Sequence, residues 1–415
     1  MNTTSAAEPT FTPADEAQSV WRSVLIRCGL VYLFSRLCVV VGAAIVAAEL
    51  RADANKRDAD FPRAPWADPY YWDRPIPKNA VRPMLDVLTS WDGLWYLRIV
   101  RSGYPREVRP EVTYEVADAR AAFFPTYPSL VRAVDWLLPG GDTVAALLLN
   151  LVLGATAVWL VGLIARDLYG PKVAERAMVL VALFPGSFVL SFAYTEALLI
   201  TVAAACMLFL LRRQWVWAGV FAAIGTATRP NGVALVAACA VAAFLAIRER
   251  REWRSLVAVV LAPVGFVAFQ LWLSRHASEF GVWFRVQTEA WGEGTSFGFT
   301  AVRRTWGAIA RPLTSPTNTI TAVSVATLLL FWWFLRKHRM PALLVAYSAV
   351  VVVLMLLPET VTARPRFVFT AFPLFIPAAV WFETHRPSWW PYVLASSATG
   401  LVALTALYGV YGAIP

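Results

Sequence analysis

Apolar residues in this chain gather in runs of about twenty, without the amphipathic rhythm of a soluble helix. A backbone laid through lipid must satisfy its own polar groups, so runs of this length dictate helices. Counted at roughly 20 residues per crossing, they predict an all-α, polytopic transmembrane helical bundle of about eleven spans. The spans fall near residues 24–48, 143–165, 177–192, 196–211, 215–228, 232–247, 255–274, 313–335, 341–357, 367–382 and 389–412. Several in the middle are short for a full crossing, which predicts broken, tilted or re-entrant helices there. A composition of 58% hydrophobic and 15% charged residues over 415 positions belongs to the same class.

The charges orient the bundle. Arg22 and Arg27 open the first span, and basic residues recur at every second connection: Arg166, Lys172 and Arg176; Arg212 and Arg213; Arg248, Arg250, Arg251 and Arg254; Arg336, Lys337 and Arg339; then Arg386. The positive-inside rule makes these cytoplasmic. It leaves residues 1–20 as a cytoplasmic tail, 21–415 as one transmembrane domain and 50–141 as a partly helical outer loop. Met1 to Ser19 lacks the basic start, short apolar core and cleavage site of a secretory signal, so the first apolar segment is expected to be retained. The outer cap carries scattered acids, Asp53, Asp58, Asp60, Asp68 and Asp73.

The net charge of +10 follows from this topological bias and calls for no nucleic acid. Cys28, Cys38, Cys206 and Cys239 all lie in apolar runs without ligand spacing and read as small buried hydrophobes. The three histidines, His276, His338 and His385, are scattered, which leaves no imidazole metal site. No cofactor is expected, with a divalent metal left open.

Within the outer loop the stretch Ser90-Trp91-Asp92-Gly93-Leu94-Trp95-Tyr96-Leu97-Arg98, closing with Gly103-Tyr104-Pro105, predicts a short aromatic helix carrying one acid. Ser90 is placed to cap a helix starting at Trp91, with Asp92 in the first turn where the helix dipole favours a negative charge. Trp91 and Trp95, and Asp92 and Tyr96, are four apart and share a face. Two readings stand: Asp92 is a catalytic carboxylate beside interfacial indoles, or it stabilises a helix start while the tryptophans anchor a loop to lipid.

Other polar features punctuate the apolar runs. Phe123-Phe124-Pro125-Thr126-Tyr127-Pro128 is a bent aromatic segment at the interface, which an aromatic belt also explains. Phe184-Pro185-Gly186-Ser187 breaks a helix ahead of Tyr194-Thr195-Glu196, and Glu196 among apolar neighbours requires a cavity or a cationic partner. Thr228-Arg229-Pro230-Asn231-Gly232 and Glu359-Thr360-Val361-Thr362-Ala363-Arg364-Pro365-Arg366 bring guanidinium groups to the outer face, where they suit a phosphate or pair with Glu196 or Glu359. Arg36, deep in the first span, must find a carboxylate or backbone partner.

In that order these motifs, ending with Arg366 and Phe372-Pro373, resemble those of PIG-V-like mannosyltransferases, over most of the chain from about Arg36 to about Pro377. The resemblance implies a GT-C fold, an active site on the non-cytoplasmic face, a polyprenyl-phosphate sugar donor and an acid in the first outer loop, a position that Asp92 matches. The mechanism expected on this basis is inverting transfer to a glycolipid or glycan acceptor, with Asp92 as general base and Arg229, Arg364 and Arg366 on the phosphate. Trp91, Trp95, Tyr96 and Tyr127 would stack on sugar or lipid, and Arg98, Glu196 and Asn231 complete the substrate- and donor-binding set. The Ala-, Val- and Arg-rich composition points to a bacterial, actinobacterial source and hence a plasma membrane, against an ER membrane for a eukaryotic one. No protein partner is indicated. The rival classes are a transporter or lipid flippase, which predicts internal repeats that the sequence does not show, and a noncatalytic scaffold of a glycosylation complex.

Overall fold

A computed structural model describes residues 13–56 and 81–412. Asp58, Asp60, Asp68 and Asp73 of the expected cap and residues 1–12 of the expected tail lie outside the described residues. The described chain is helical throughout, relieved by one isolated bridge between Thr295 and Pro358.

Helix α1 (Pro13–Lys56) runs past the end expected near residue 48. Two short helices follow, α2 (Val81–Leu88) and α3 (Asp92–Ser102), and then α4 (Thr126–Leu137). Beyond them come α5 (Gly141–Tyr169), α6 (Pro171–Leu183), α7 (Glu196–Leu211), α8 (Trp215–Thr226) and α9 (Ala234–Arg250). The expected span at 255–274 is two helices, α10 (Leu256–Leu261) and α11 (Val264–His276), parted at Pro263 because proline removes a helical hydrogen bond. Helices α12 (Val282–Trp291) and α13 (Phe299–Ala310) occupy the interval from 275 to 312. The chain ends with α14 (Pro316–Lys337), α15 (Ala342–Leu356), α16 (Pro365–Thr370), α17 (Phe375–Thr384) and α18 (Trp390–Gly409).

Among the described residues, six helical segments are long and apolar enough to cross a bilayer and four apolar helices are shorter, as in an integral membrane protein. Two further expected spans are broken. The one at 177–192 ends as a helix at Leu183 and continues as a 3₁₀ turn over Pro185–Leu190, and the one at 367–382 is interrupted at Phe372–Leu374. Both breaks carry a proline, and both lie beside the Asp92 helix or its partners.

Helix α5 packs on α6 and α7, α7 on α8, α9 on α15 and α1 on α18. Arg36 is satisfied without a carboxylate: Nη1 donates to Ser187 O (2.8 Å) and Ser191 Oγ (3.0 Å), and Nη2 to Ala182 O (3.1 Å) and Ser187 Oγ (3.0 Å). It thus ties α1 to the broken segment, whose freed carbonyls need donors.

Candidate functional site

The helix bearing Asp92 begins one residue later than the capping pattern suggests. Ser90 does not cap it: its Oγ donates to Val87 O at 2.7 Å, and the residue before the helix is Trp91, with no side-chain cap. Trp91 has φ 56°, a region costly for a bulky residue by about 1–3 kcal/mol. What holds it there is its own indole, which donates from Nε1 to Tyr408 O at 3.0 Å and packs on Tyr411 with ring centroids 4.8 Å apart. The turn throws Asp92 inward, and Ala193 N donates to Leu88 O at 2.9 Å, pinning the loop to the chain just ahead of Glu196.

Four residues from four segments meet there. Arg366 Nη1 lies 2.6 Å from Asp92 Oδ2 and 3.9 Å from Glu196 Oε1, and Arg229 pairs with the same Glu196 oxygen. The pairing alternative for Arg229 is therefore realised with Glu196, and among the described ion pairs none involves Glu359. Thr195 Oγ1 stands 3.3 Å from both Arg229 Nη1 and the Tyr96 hydroxyl. Two carboxylates and two guanidinium groups sum to zero charge, which is what makes their burial tolerable. Glu196 is fully buried, Arg366 is 7% exposed and Asp92 21% exposed, so Asp92 is the member that reaches the surface.

Arg366 is aimed by its backbone. Pro365 opens α16, where a missing N–H costs nothing, and its carbonyl rests against Gly186, at which an added Cβ would come within 2.2 Å of Pro365 O. Only glycine allows that approach. The guanidinium then lies over the rings of Phe367 and Tyr194, 4.7 and 5.5 Å from their centroids. Glu196 Oε2, Arg366 Nε and the Tyr194 hydroxyl are buried without a hydrogen-bond partner among the described residues. Three such atoms in one place mark a polar network left open among the described residues.

Several expected members lie elsewhere. Arg364 turns to α14, donating to Thr321 Oγ1 at 2.9 Å and Thr317 O at 3.3 Å. It is extended (φ −132°, ψ 153°) whereas Pro365 already opens the helix that carries Arg366, so the change of backbone conformation between them sends the two side chains to different sides. Tyr127 is fully buried, edge-on to Tyr96 at 5.3 Å, and offers no ring face to a sugar; it supports α3 from behind. Tyr96 is likewise buried, and burial pushes its phenol above its usual range. The Trp95 ring is taken by Phe123 at 5.9 Å, Trp291 at 5.6 Å and the Arg98 guanidinium at 4.9 Å. Asn231 is half-buried on the 3₁₀ turn Pro230–Val233.

The sequence reading missed Asn150, which is fully buried in α5 and donates through Nδ2 to Tyr194 O at 2.8 Å and also to Phe192 O. It braces the strand of chain leading into Glu196. The signal was present, since an amide inside an apolar run must have partners.

Comparison with known proteins adds a partial match. Residues 125–274 match the family described as dolichyl-phosphate-mannose-protein mannosyltransferase. No curated protein matches the chain. Among solved structures, ArnT from Cupriavidus metallidurans bound to undecaprenyl phosphate is 18% identical, with a TM-score of 0.49 over 72% of this chain and 56% of that one. The Archaeoglobus fulgidus oligosaccharyltransferase in the apo form is 13% identical, with a TM-score of 0.42 over 91% of this chain and 55% of that one. The archaeal oligosaccharyltransferase AglB from the same organism, in complex with an inhibitory peptide and a dolichol-phosphate, is 15% identical, with a TM-score of 0.41 over 90% and 55%. The chain spans about half the length of these structures.

Proposed function

We propose that the chain is an integral-membrane glycosyltransferase that moves a sugar, mannose in our reading, from a polyprenyl-phosphate donor to a glycolipid or glycan acceptor on the non-cytoplasmic face. The observation that carries this reading is the meeting of Asp92, Glu196, Arg229 and Arg366 at one end of an apolar bundle. The mannosyltransferase family match over 125–274 supports the sugar, and it covers Glu196 and Arg229 but not Asp92 or Arg366.

The chemistry is a direct, inverting displacement. The acceptor oxygen attacks the anomeric carbon, the bond from that carbon to the phosphate oxygen breaks, and its electron pair leaves with the polyprenyl phosphate. Asp92 takes the acceptor proton, help of the kind that contributes about 10² to 10⁴ in rate. Arg366 holds Asp92 in the described state. An arriving phosphate competes for that guanidinium, and as Arg366 swings toward the phosphate it frees Asp92 to act as a base. Arg229 and Arg366 then stabilise the charge growing on the leaving phosphate, a preorganised electrostatic term. Glu196 keeps both arginines in place when the donor is absent. The scheme invokes no metal, since Arg229 and Arg366 already supply positive charge beside both carboxylates.

The test is transfer from a labelled polyprenyl-phosphate mannose by the purified chain in detergent. Asp92→Asn is expected to lower turnover at least 10²-fold with donor affinity kept, and chelation by EDTA to leave the rate unchanged. Near-wild-type turnover of Asp92→Asn removes the base, and loss of activity with EDTA removes the metal-free scheme.

A further inference from the structure

At the other end of the Asp92 helix lies a cavity of about 730 Å³ that this mechanism does not use. Its walls are of two kinds. Ala268, Phe269 and Trp272 come from α11, the second half of a segment apolar enough to span a bilayer. The lining also includes Arg106 and Arg132, both exposed, and His276. The His276 ring stacks on Trp272 at 4.9 Å, and its Nε2 lies 3.4 Å from Tyr104 O. Tyr104 is itself fixed by its hydroxyl, which donates to Phe123 O at 2.6 Å, so this wall is built and not adventitious.

Among the described residues the charge is uncompensated. No acidic residue lines the cavity, and neither Arg106 nor Arg132 has an ion pair with a described residue. A guanidinium pair at the rim of an apolar hollow asks for an anion with a hydrocarbon body, since phosphate oxygens accept from the fork and the chain covers the aromatic wall. The volume lies within the range that takes a ligand of moderate size.

We propose that this cavity is a binding site for a membrane lipid with a phosphate head group, the head held between Arg106 and Arg132 and the first part of the chain laid against Phe269 and Trp272. From Asp92 to Ile99, where the cavity lining begins, the helix rises about 10 Å. A phosphate here is thus separate from one departing at Asp92, and its binding does not depend on the glycosyltransferase reading.

Native mass spectrometry of the full chain in detergent, titrated with phosphatidic acid or phosphatidylcholine, tests this without any turnover. Phosphatidic acid is expected to be retained in preference to phosphatidylcholine. The R106Q/R132Q pair is expected to lose that preference by roughly tenfold or more, and R106K/R132K to keep most of it. A268W fills the apolar half without altering charge and is expected to weaken phosphatidic acid as well. Equal retention of the two lipids, or an unchanged preference in R106Q/R132Q, overturns the site. Inorganic phosphate competing as well as the lipid, or A268W binding normally, overturns the lipid and leaves a soluble anion. Gel filtration of each variant shows that the fold is kept.

Discussion

The two ends of the bundle use the same residues differently. At the end away from Asp92, arginines pair across connections: Arg27 with Glu175 at 2.7 Å, Arg212 with Asp167 at 2.9 Å, and Arg176 with Glu383. Those between Arg27 and Glu175 are 54% and 31% exposed, and those between Arg212 and Asp167 are 43% and 33% exposed. Water already solvates these two pairs, so each contributes about 0–1 kcal/mol, while Arg176 and Glu383, 16% and 26% exposed, lie between the two extremes. At the Asp92 end Glu196 and Arg366 are buried and only Asp92 reaches the surface, so most of the charge there was removed from water at a cost that mutual attraction only roughly offsets. Stability alone would favour apolar residues in their place. A buried, balanced and partly unsatisfied set of charges is better explained by a task than by the fold.

Removing one partner is the sharpest way to break that contrast. Arg366→Ala leaves Asp92 and Glu196 with excess negative charge, and breaking a buried pair costs about 3–5 kcal/mol. Thermal unfolding in detergent is expected to show this as a marked fall in midpoint, partly recovered by adding Asp92→Asn, since the two residues are coupled. A cost under about 1 kcal/mol would make the two ends alike and remove the argument from burial.

A smaller effect is expected at Gly186. An alanine there meets the backbone oxygen of Pro365, which cannot rotate away, so the 3₁₀ turn and α16 must separate. Overpacking of this kind costs about 1–3 kcal/mol, and the displacement is passed to Arg366, so the transfer rate is expected to fall further than stability predicts. Gly93→Ala is the control: its Cβ would meet Ala193 at 3.4 Å, ordinary contact, and both readouts are expected to stay near wild type.

Which of these features the sequence discloses follows from the range of the physics involved. Lipid imposes helices locally, and so α7 begins and ends where the apolar run of 196–211 does. The charge pairs are different, since Asp92 and Arg366 are 274 residues apart. Types and order pointed to a shared site, but no local rule says which arginine faces inward. Arg364 and Arg366 look equivalent in the chain and separate only because Pro365 turns the backbone between them. Tyr127 and Trp95 looked like open aromatic platforms because period and composition do not reveal that other rings already cover them. The strained Trp91 was invisible for a related reason: its conformation is imposed by Tyr408 and Tyr411, at the far end of the chain.

The least expected effect is at the far end, and it calibrates the others. Arg212→Ala removes the 2.9 Å contact to Asp167, but Asp167 keeps Arg166, also at 2.9 Å, and both groups remain wet. The variant is expected to shift stability by less than about 1 kcal/mol and to leave transfer unchanged. It is also expected to grow still less distinct from wild type as salt rises, because exposed pairs are screened over about 10 Å at 0.1 M. The Arg366→Ala deficit should hardly respond to salt, since ions do not reach a buried pair. If instead the two variants respond to salt in parallel, the Asp92 cluster is solvated like the far end, and its charges lose the low-dielectric setting on which their strength depends.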